Sequence, residues 1–257
     1  MYRGKRIAVN VSAYNEEKLI ERTLREIPDY VDIIVVVDDN STDATCDIVN
    51  RCAIADTRIK LIQRCHNSGF GGVTIAGYEY LMNQYVDIIA NLNGDGQMDV
   101  EALEPMIDML VENFQIDMVK GDRLSHRDAG RMPFVRRMGG RLLSRLTSYV
   151  TGYEIHDSQH TYHVINVDAL RTIRLGRLYK RFGYPNDFLI ECAKQELRVK
   201  NHPARPIYGN GEESLLKPLK VAPRILSILA KGWLQIRAAE VARKLDINQK
   251  DERTFMA

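Results

Sequence analysis

Two kinds of apolar pattern take turns along the first half of the chain. Short continuous runs of strand type stand at Ile7–Val11, Ile33–Val37, Ile59–Gln63, Val86–Ala90 and Met118–Gly121. The run Ile33-Ile-Val-Val-Val37 is β-branched and uncharged, as in a strand buried on both faces. Between these runs the apolar residues recur at helical spacing, first as Leu19, Ile20, Leu24 and Ile27 before Pro28. Asn15 reads as the N-cap of that helix, with Glu16 and Glu17 at the positive end of its dipole. Further helices are expected over about Thr42–Ala55, Val73–Gln84 and Ala102–Glu112. A β-α unit repeated in this way predicts an α/β fold, a mostly parallel sheet with helices on both faces.

Ligands of such sheets bind outside the C-terminal ends of the strands. The turns Ser12–Glu17, Asp38–Asp43 and Asn93–Gln97 all fall on that edge, so a binding site is expected there. The most telling turn is Asn91-Leu-Asn-Gly-Asp-Gly-Gln-Met-Asp99. Gly94 and Gly96 let the chain turn sharply and leave the Asp95 carboxylate with little bulk beside it. With the amide oxygens of Asn93 and Gln97 it makes a set of hard oxygen donors suited to Mg²⁺ or Mn²⁺ alongside substrate phosphates. An ordinary Asx/Gly turn is the other reading of the same residues. Gly69-Phe-Gly-Gly72 follows the third strand and fits neither a dinucleotide fingerprint nor a P-loop; a tight connection into the third helix is expected.

From Arg123 the pattern changes. Arg123, Arg127, Arg131, Arg136, Arg137, Arg141 and Arg145 crowd one segment, with a loop at Gly130 and Pro133 before a helix over Phe134–Thr151. Arginine suits bidentate phosphate contacts, expected for Arg123 on the rim; for Arg141 and Arg145 a solvated helix face is as good a reading. Asp157, before the strand Tyr162–Ile165, reads equally as a general base and as a turn residue. Asn186 or Asp187 reads as the cap of a later helix. From Leu215 to Arg237 the chain mixes apolar residues, Trp233 among them, with lysine and arginine, and has no acid until Glu240. It is too interrupted to span a bilayer and suits the interface of an anionic membrane, or else a helix packed on the core. The tail around Gln249–Arg253 reads as frayed.

Composition narrows the partners. A chain of 257 residues, 45% hydrophobic and 27% charged, is ordinary for a soluble domain. A net charge of +2 argues against general nucleic-acid binding. No apolar run approaches a membrane span and no signal peptide is read, so a cytoplasmic site is expected. Cys46, Cys52, Cys65 and Cys192 form no C-x-x-C pair and read as reduced thiols. His156, His160 and His163 do not share a helix face and are not read as a metal site.

Taken in order and spacing, Ser12-Ala-Tyr-Asn-Glu-Glu, Val37-Asp-Asp-Asn-Ser-Thr-Asp43, Asn67-Ser-Gly-Phe-Gly and Asn93-Gly-Asp-Gly-Gln97 resemble the inverting family 2 glycosyltransferases of GT-A fold. Within that family the chain looks most like the dolichyl- and polyprenyl-phosphate hexosyltransferases. Gly121-Asp-Arg123, the arginine-rich segment, Asp157-Ser-Gln and the Lys-Pro-Leu-Lys run near Leu219 support this. The resemblance implies that Ser12, Tyr14 and Glu16 hold the nucleotide, with Val37 and Asp39 at the base. It implies that Asn93, Gly94 and Asp95 stand where the family has its D-x-D, with Asp95 and Gln97 on a Mg²⁺ or Mn²⁺ ion. Arg123 and Arg131 would contact phosphate, and Asp157 would face the acceptor. Ser12 replaces the usual Pro, and Asn93 replaces the usual first Asp, which removes one negative charge from the metal set.

The expected partners are a nucleotide sugar linked to GDP or UDP and a polyprenyl or dolichyl phosphate or glycan acceptor. The membrane is expected to be met at its inner face through the C-terminal segment. The alternatives are transfer to a saccharide hydroxyl and a catalytically silent nucleotide-sugar binder. Oligomeric state, a homo-oligomer included, is open. A catalytic domain over 1–210 and a basic helical segment over 211–257 are expected.

Overall fold

Strand residues alternate between two cores, and this alternation builds the molecule. In the computed structural model, which describes residues 1–207 and 218–255, β1 (Ile7–Ala13), β2 (Ile33–Asp38), β3 (Ile59–Gln63), β4 (Ile88–Asn93), β5 (Met118–Asp122), β6 (His163–Asn166) and β7 (Val199–Pro203) form one sheet. The strand order is β3-β2-β1-β4-β6-β5-β7. All neighbours pair in parallel except β6, which runs antiparallel between β4 and β5.

Ile7, Val9 and Val11 of β1, with Ile34 and Val36 of β2, face one core. There they meet α1 (Ile20–Glu26), α2 (Thr45–Ala55) and α4 (Leu103–Glu112). Ala8, Val35, Val37 and Ile89 face the other core, with α3 (Phe70–Leu81), α6 (Val167–Thr172) and α7 (Tyr184–Lys194). The expected two-sided burial of β2 is therefore present, and each core holds a separate set of its side chains.

A polar contact at the centre of the sheet interrupts this apolar interior. Asn10 of β1 and Asn91 of β4 are register partners, and Asn10 Nδ2 donates to Asn91 Oδ1 at 3.1 Å and to the Thr74 carbonyl of α3 at 3.0 Å. α3 comes so close here that a Cβ on Gly77 would lie 1.9 Å from Asn10 Oδ1. Only glycine fits that crossing.

At the sheet edge beyond β6, β7 is the strand with no counterpart among the expected elements. β7 is short and half-exposed, so its periodicity is weak. α5 (Phe134–Thr151) and the long α8 (Pro218–Phe255) lie outside the sheet layers. One face of α8, with Ile225, Leu229 and Ile236, packs on Ile190 of α7 and Leu143 and Val150 of α5. This helix continues to Phe255, where fraying was expected. The expected boundary at 210/211, and Leu215 to Lys217 of the basic run, lie outside the described residues.

The starts of α1, α3 and α7 differ from expectation. Asn15 does not cap α1: it has φ 54°, and its side chain crosses to the next loop, so the helix begins only at Ile20 without a side-chain cap. α3 begins at Phe70 and takes Gly71 and Gly72 into its first turn, where a Cβ at Gly71 would stand 2.6 Å from the Tyr179 carbonyl. α7 begins after Gly183, with Pro185 in its first turn; Asn186 is buried, and Asp187 accepts instead from the Tyr179 N–H at 2.7 Å.

Candidate active site

The C-terminal ends of β1, β2, β3 and β4 are tied together by their own polar side chains. Asn15 Oδ1 accepts from the Thr42 N–H at 2.8 Å, and the Asn15 N–H donates to Ser41 Oγ at 2.9 Å. The Glu16 N–H donates to Thr45 Oγ1 at 2.7 Å, and the Glu17 carboxylate accepts from the Ala44 N–H at 3.1 Å. The loops after β1 and β2 are thus closed on each other. The left-handed backbone at Asn15 makes this possible, a conformation asparagine tolerates better than most residues.

Asp39 joins the next pair of loops. Its Oδ1 accepts from the Ser68 N–H at 2.7 Å and from Ser68 Oγ at 2.9 Å, and its Oδ2 accepts from the Gly69 N–H at 2.8 Å. The residue expected to meet the base therefore organises the turn after β3, with both oxygens already engaged. Val37 is fully buried in β2, so only its backbone stands near the rim. Ser12 is buried, its Oγ 3.2 Å from Thr74 Oγ1, while Tyr14 is exposed at the loop tip.

The turn after β4 joins the same rim. The Gly94 N–H donates to the Ser12 carbonyl at 2.8 Å, and the Gly94 carbonyl accepts from Thr23 Oγ1 at 3.2 Å. A Cβ at Gly94 would stand 2.9 Å from Ile20 Cδ1. Asn93 Oδ1 accepts from Thr161 Oγ1 at 3.3 Å. Asp95 is half-buried, and its Oδ1 accepts from the Gln97 N–H at 3.0 Å while Gly96 takes φ 65°. Among the described residues no three His, Cys, Asp or Glu side chains gather as a metal cage. The local donors are the Asp95 carboxylate and the Gln97 amide, hard oxygens too few to enclose an ion. A Mg²⁺ or Mn²⁺ held jointly with substrate phosphates suits such a set.

Across β6, Arg123 and Asp157 form a fork. Arg123 Nε lies 2.8 Å from Asp157 Oδ2, and Nη2 lies 3.2 Å from Oδ1. Asp157 is 1% exposed and Arg123 17% exposed. Burial alone would raise the Asp157 pKa, but the charge and hydrogen bonds of Arg123, with His160 and Lys120 beyond it, hold the carboxyl well below its usual range. A carboxylate this acidic and this enclosed is a poor proton acceptor. Asp157, expected as a general base or as a turn residue, is here paired with Arg123. Lys120, which the sequence reading passed over, is buried beneath the pair, and its Nζ donates to the His160 carbonyl. A lysine inside the apolar strand Met118-Val-Lys-Gly was the available signal.

Arg131 is exposed, with its Nε 4.0 Å from Asp128. The histidines separate. His156 lies between Asp122 and Glu154, His160 Nδ1 is 3.2 Å from the Gly121 carbonyl, and His163 Nε2 is 2.6 Å from the Tyr78 hydroxyl. A cavity of about 340 Å³ opens on the flank of α3, lined by Arg64, His66, Ser68, Lys180 and Arg181 among others; Asp95 and Arg123 are not part of its wall.

The model of glycosyl transferase family 2 matches residues 8–174. The chain is 27% identical over 218 residues to the UDP-N-acetylglucosamine–dolichyl-phosphate N-acetylglucosaminyltransferase of Methanococcus voltae, a match covering 79% of this chain and 86% of that protein. It is 26% identical over 246 residues to the undecaprenyl-phosphate mannosyltransferase of Micrococcus luteus, covering 91% and 98%. Among solved structures, glucosyl-3-phosphoglycerate synthase of Mycobacterium tuberculosis in complex with Mn²⁺, UDP and glucosyl-3-phosphoglycerate matches with a TM-score of 0.66 at 19% identity, covering 89% of this chain and 80% of that chain. At that identity the likeness is one of fold, the GT-A arrangement.

Proposed function

The chain belongs to glycosyl transferase family 2, and we propose that it moves a hexose, with inversion, from a GDP- or UDP-linked sugar to a polyprenyl or dolichyl phosphate at the inner face of a membrane. The observation that carries this reading is the joined rim: four strand ends lock to one another, the half-buried Asp95 carboxylate stands on the turn after β4, and the Arg123 guanidinium is held by Asp157. The two relatives named above carry lipid phosphates in their names, which supports the acceptor.

In this reading Ser12, Tyr14 and Glu16 flank the nucleotide, and Val37 and Asp39 support the wall around the base. Asn93 and Gly94 set the position of Asp95 against the β1 loop. Asp95 and Gln97 would hold a Mg²⁺ or Mn²⁺ ion, whose chemistry is to neutralise the diphosphate as it leaves. Arg123, with Arg131 further out, attracts phosphate oxygens. A phosphate oxygen of the acceptor attacks the anomeric carbon, the bond to the diphosphate breaks, and the nucleoside diphosphate departs. The attacking group is already an anion and needs no proton removed, which agrees with an Asp157 engaged by Arg123. A saccharide hydroxyl would need a base that this pair does not supply.

The membrane contact is assigned to the basic C-terminal segment. Part of α8 packs on the domain, while Leu226, Trp233 and Leu234 stay exposed on it. Among the described residues no helix is long and apolar enough to cross a membrane. The test is Asp95→Ala, assayed with a polyprenyl phosphate and a panel of GDP- and UDP-sugars. Transfer falls by about a thousandfold, as expected when several kcal/mol of charge stabilisation is lost, and the circular dichroism spectrum is unchanged. Undiminished transfer in a folded Asp95→Ala protein removes the basis of the assignment.

A further inference from the structure

α5 is amphipathic the wrong way round. A helix on a water-soluble domain buries its apolar stripe and shows its polar one. Here the buried positions are Ser144, Thr147 and Thr151. Ser144 Oγ accepts from the Ser158 N–H at 2.8 Å, and Thr147 Oγ1 accepts from Asn186 Nδ2 at 2.7 Å. The exposed large apolar positions are Phe134, Val135, Met138, Leu142, Leu146 and Tyr149, each between 36% and 75% exposed. At 3.6 residues per turn these six fall within about 120° of the helix circumference, opposite Thr147. Leu143 and Val150, to one side, pack on α8, so the stripe is not the α8 contact.

The charges identify the occupant. α5 contains four arginines and no acid. Arg145 stands within the stripe and Arg141 at its border, both exposed. A second copy of this chain laid symmetrically on the stripe would bring arginines against arginines. The surface of an anionic bilayer offers the complement of both features, an apolar layer for the stripe and headgroup phosphates for the guanidinium groups. A stripe of large apolar side chains this continuous is uncommon on a surface that meets only water.

We propose that α5 is a membrane-docking helix that lies along an anionic bilayer with Val135, Met138 and Leu142 among the acyl chains. This deepens the proposed function, on which it rests for the lipid acceptor, and moves the principal contact from the C-terminal segment to a helix inside the catalytic domain. It also places docking on the segment that follows Arg123, so the residue assigned to phosphate sits close in sequence to the one that grips the lipid layer.

The experiment is flotation of the full chain with vesicles of phosphatidylcholine, with and without phosphatidylglycerol. The wild type floats with the anionic vesicles and is released by high salt. Leu142→Glu and Met138→Glu each weaken binding at least about tenfold, because a buried leucine-sized side chain is exchanged for a charge. Both positions are exposed, so the melting curve stays unchanged; Leu234→Glu on α8 has a smaller effect. Wild type that ignores anionic vesicles, or Leu142→Glu that floats as well as wild type, overturns the proposal. So does a wild-type dimer in sedimentation that Leu142→Glu dissociates. Transfer to a water-soluble short-chain polyprenyl phosphate needs no vesicle, and its retention in Leu142→Glu separates loss of docking from failure of the transferase reading.

Discussion

Removing the Asp157 carboxylate separates an anchoring role from a proton-accepting one. The pair it forms with Arg123 is nearly enclosed, with two near-parallel contacts of 2.8 and 3.2 Å. Taking one partner from a buried pair leaves the other charge uncompensated and costs about 3–5 kcal/mol. Water reaches part of Arg123, which is 17% exposed, so the lower end, about 3 kcal/mol, is expected for Asp157→Ala. Arg123→Met should cost a similar amount, and the double variant should lose less than the two together, with a coupling of about 2 kcal/mol. Urea unfolding at pH 7 reads all four proteins. The sign of the pH dependence follows from the lowered pKa of Asp157. The folded carboxyl holds its proton less well than the unfolded one. Its contribution is therefore full above about pH 4, the unfolded value, and is lost as pH falls toward the folded value. The gap between wild type and Asp157→Asn should close over that acid range. Single losses below about 1 kcal/mol that simply add would refute the anchoring argument. A general base replaced by an amide would instead lose about 10²–10⁴ in turnover with little change in stability.

Two further outcomes test the interior. Gly77→Ala stabilises most exposed helices, but here the new methyl would meet Asn10 Oδ1 at 1.9 Å, so the melting temperature should fall by roughly 5–10 °C; a rise would mean that α3 does not cross β1 that closely. Burial pushes the Lys120 pKa down to about 8 from 10.5, so the unfolded chain holds a proton that the folded one has released between these values, and wild type should gain stability over that range relative to Lys120→Met. Urea midpoints that run parallel from pH 7.5 to pH 10 would contradict this.

The parts of this molecule that were legible in the sequence are those written in short periods. β1, β2 and β4 are largely apolar runs because the central parallel strands are buried on both faces, and the order of the strands in the chain set which turns share an edge. Asp95 stood out because two glycines flank it. Side-chain partners were not legible. Asn15 looks like a cap until the loop after β2 is seen beside it, and Asp39 looks free until Ser68 and Gly69 arrive from another turn. Asp157 illustrates the same limit: spacing places it before a strand, but only the sheet order brings Arg123 within reach across 34 residues of chain. β7 escaped because a short, half-exposed edge strand leaves little hydrophobic pattern, and the outward apolar face of α5 escaped because periodicity reveals a stripe without saying which way it points.

The Asn10–Asn91 contact has a consequence for the site some distance above it. Sliding β1 along β4 by one residue would turn an amide toward the opposite layer, and sliding by two would set either Asn10 opposite Ile89 or Asn91 opposite Ala8. Either misalignment strands a hydrogen-bonding group in a dry interior, at about 1–3 kcal/mol for each one. The central strands consequently have a single vernier setting. That setting brings Gly94 level with Ser12, so the height at which the Asp95 turn emerges is determined in the middle of the sheet, before any ligand arrives.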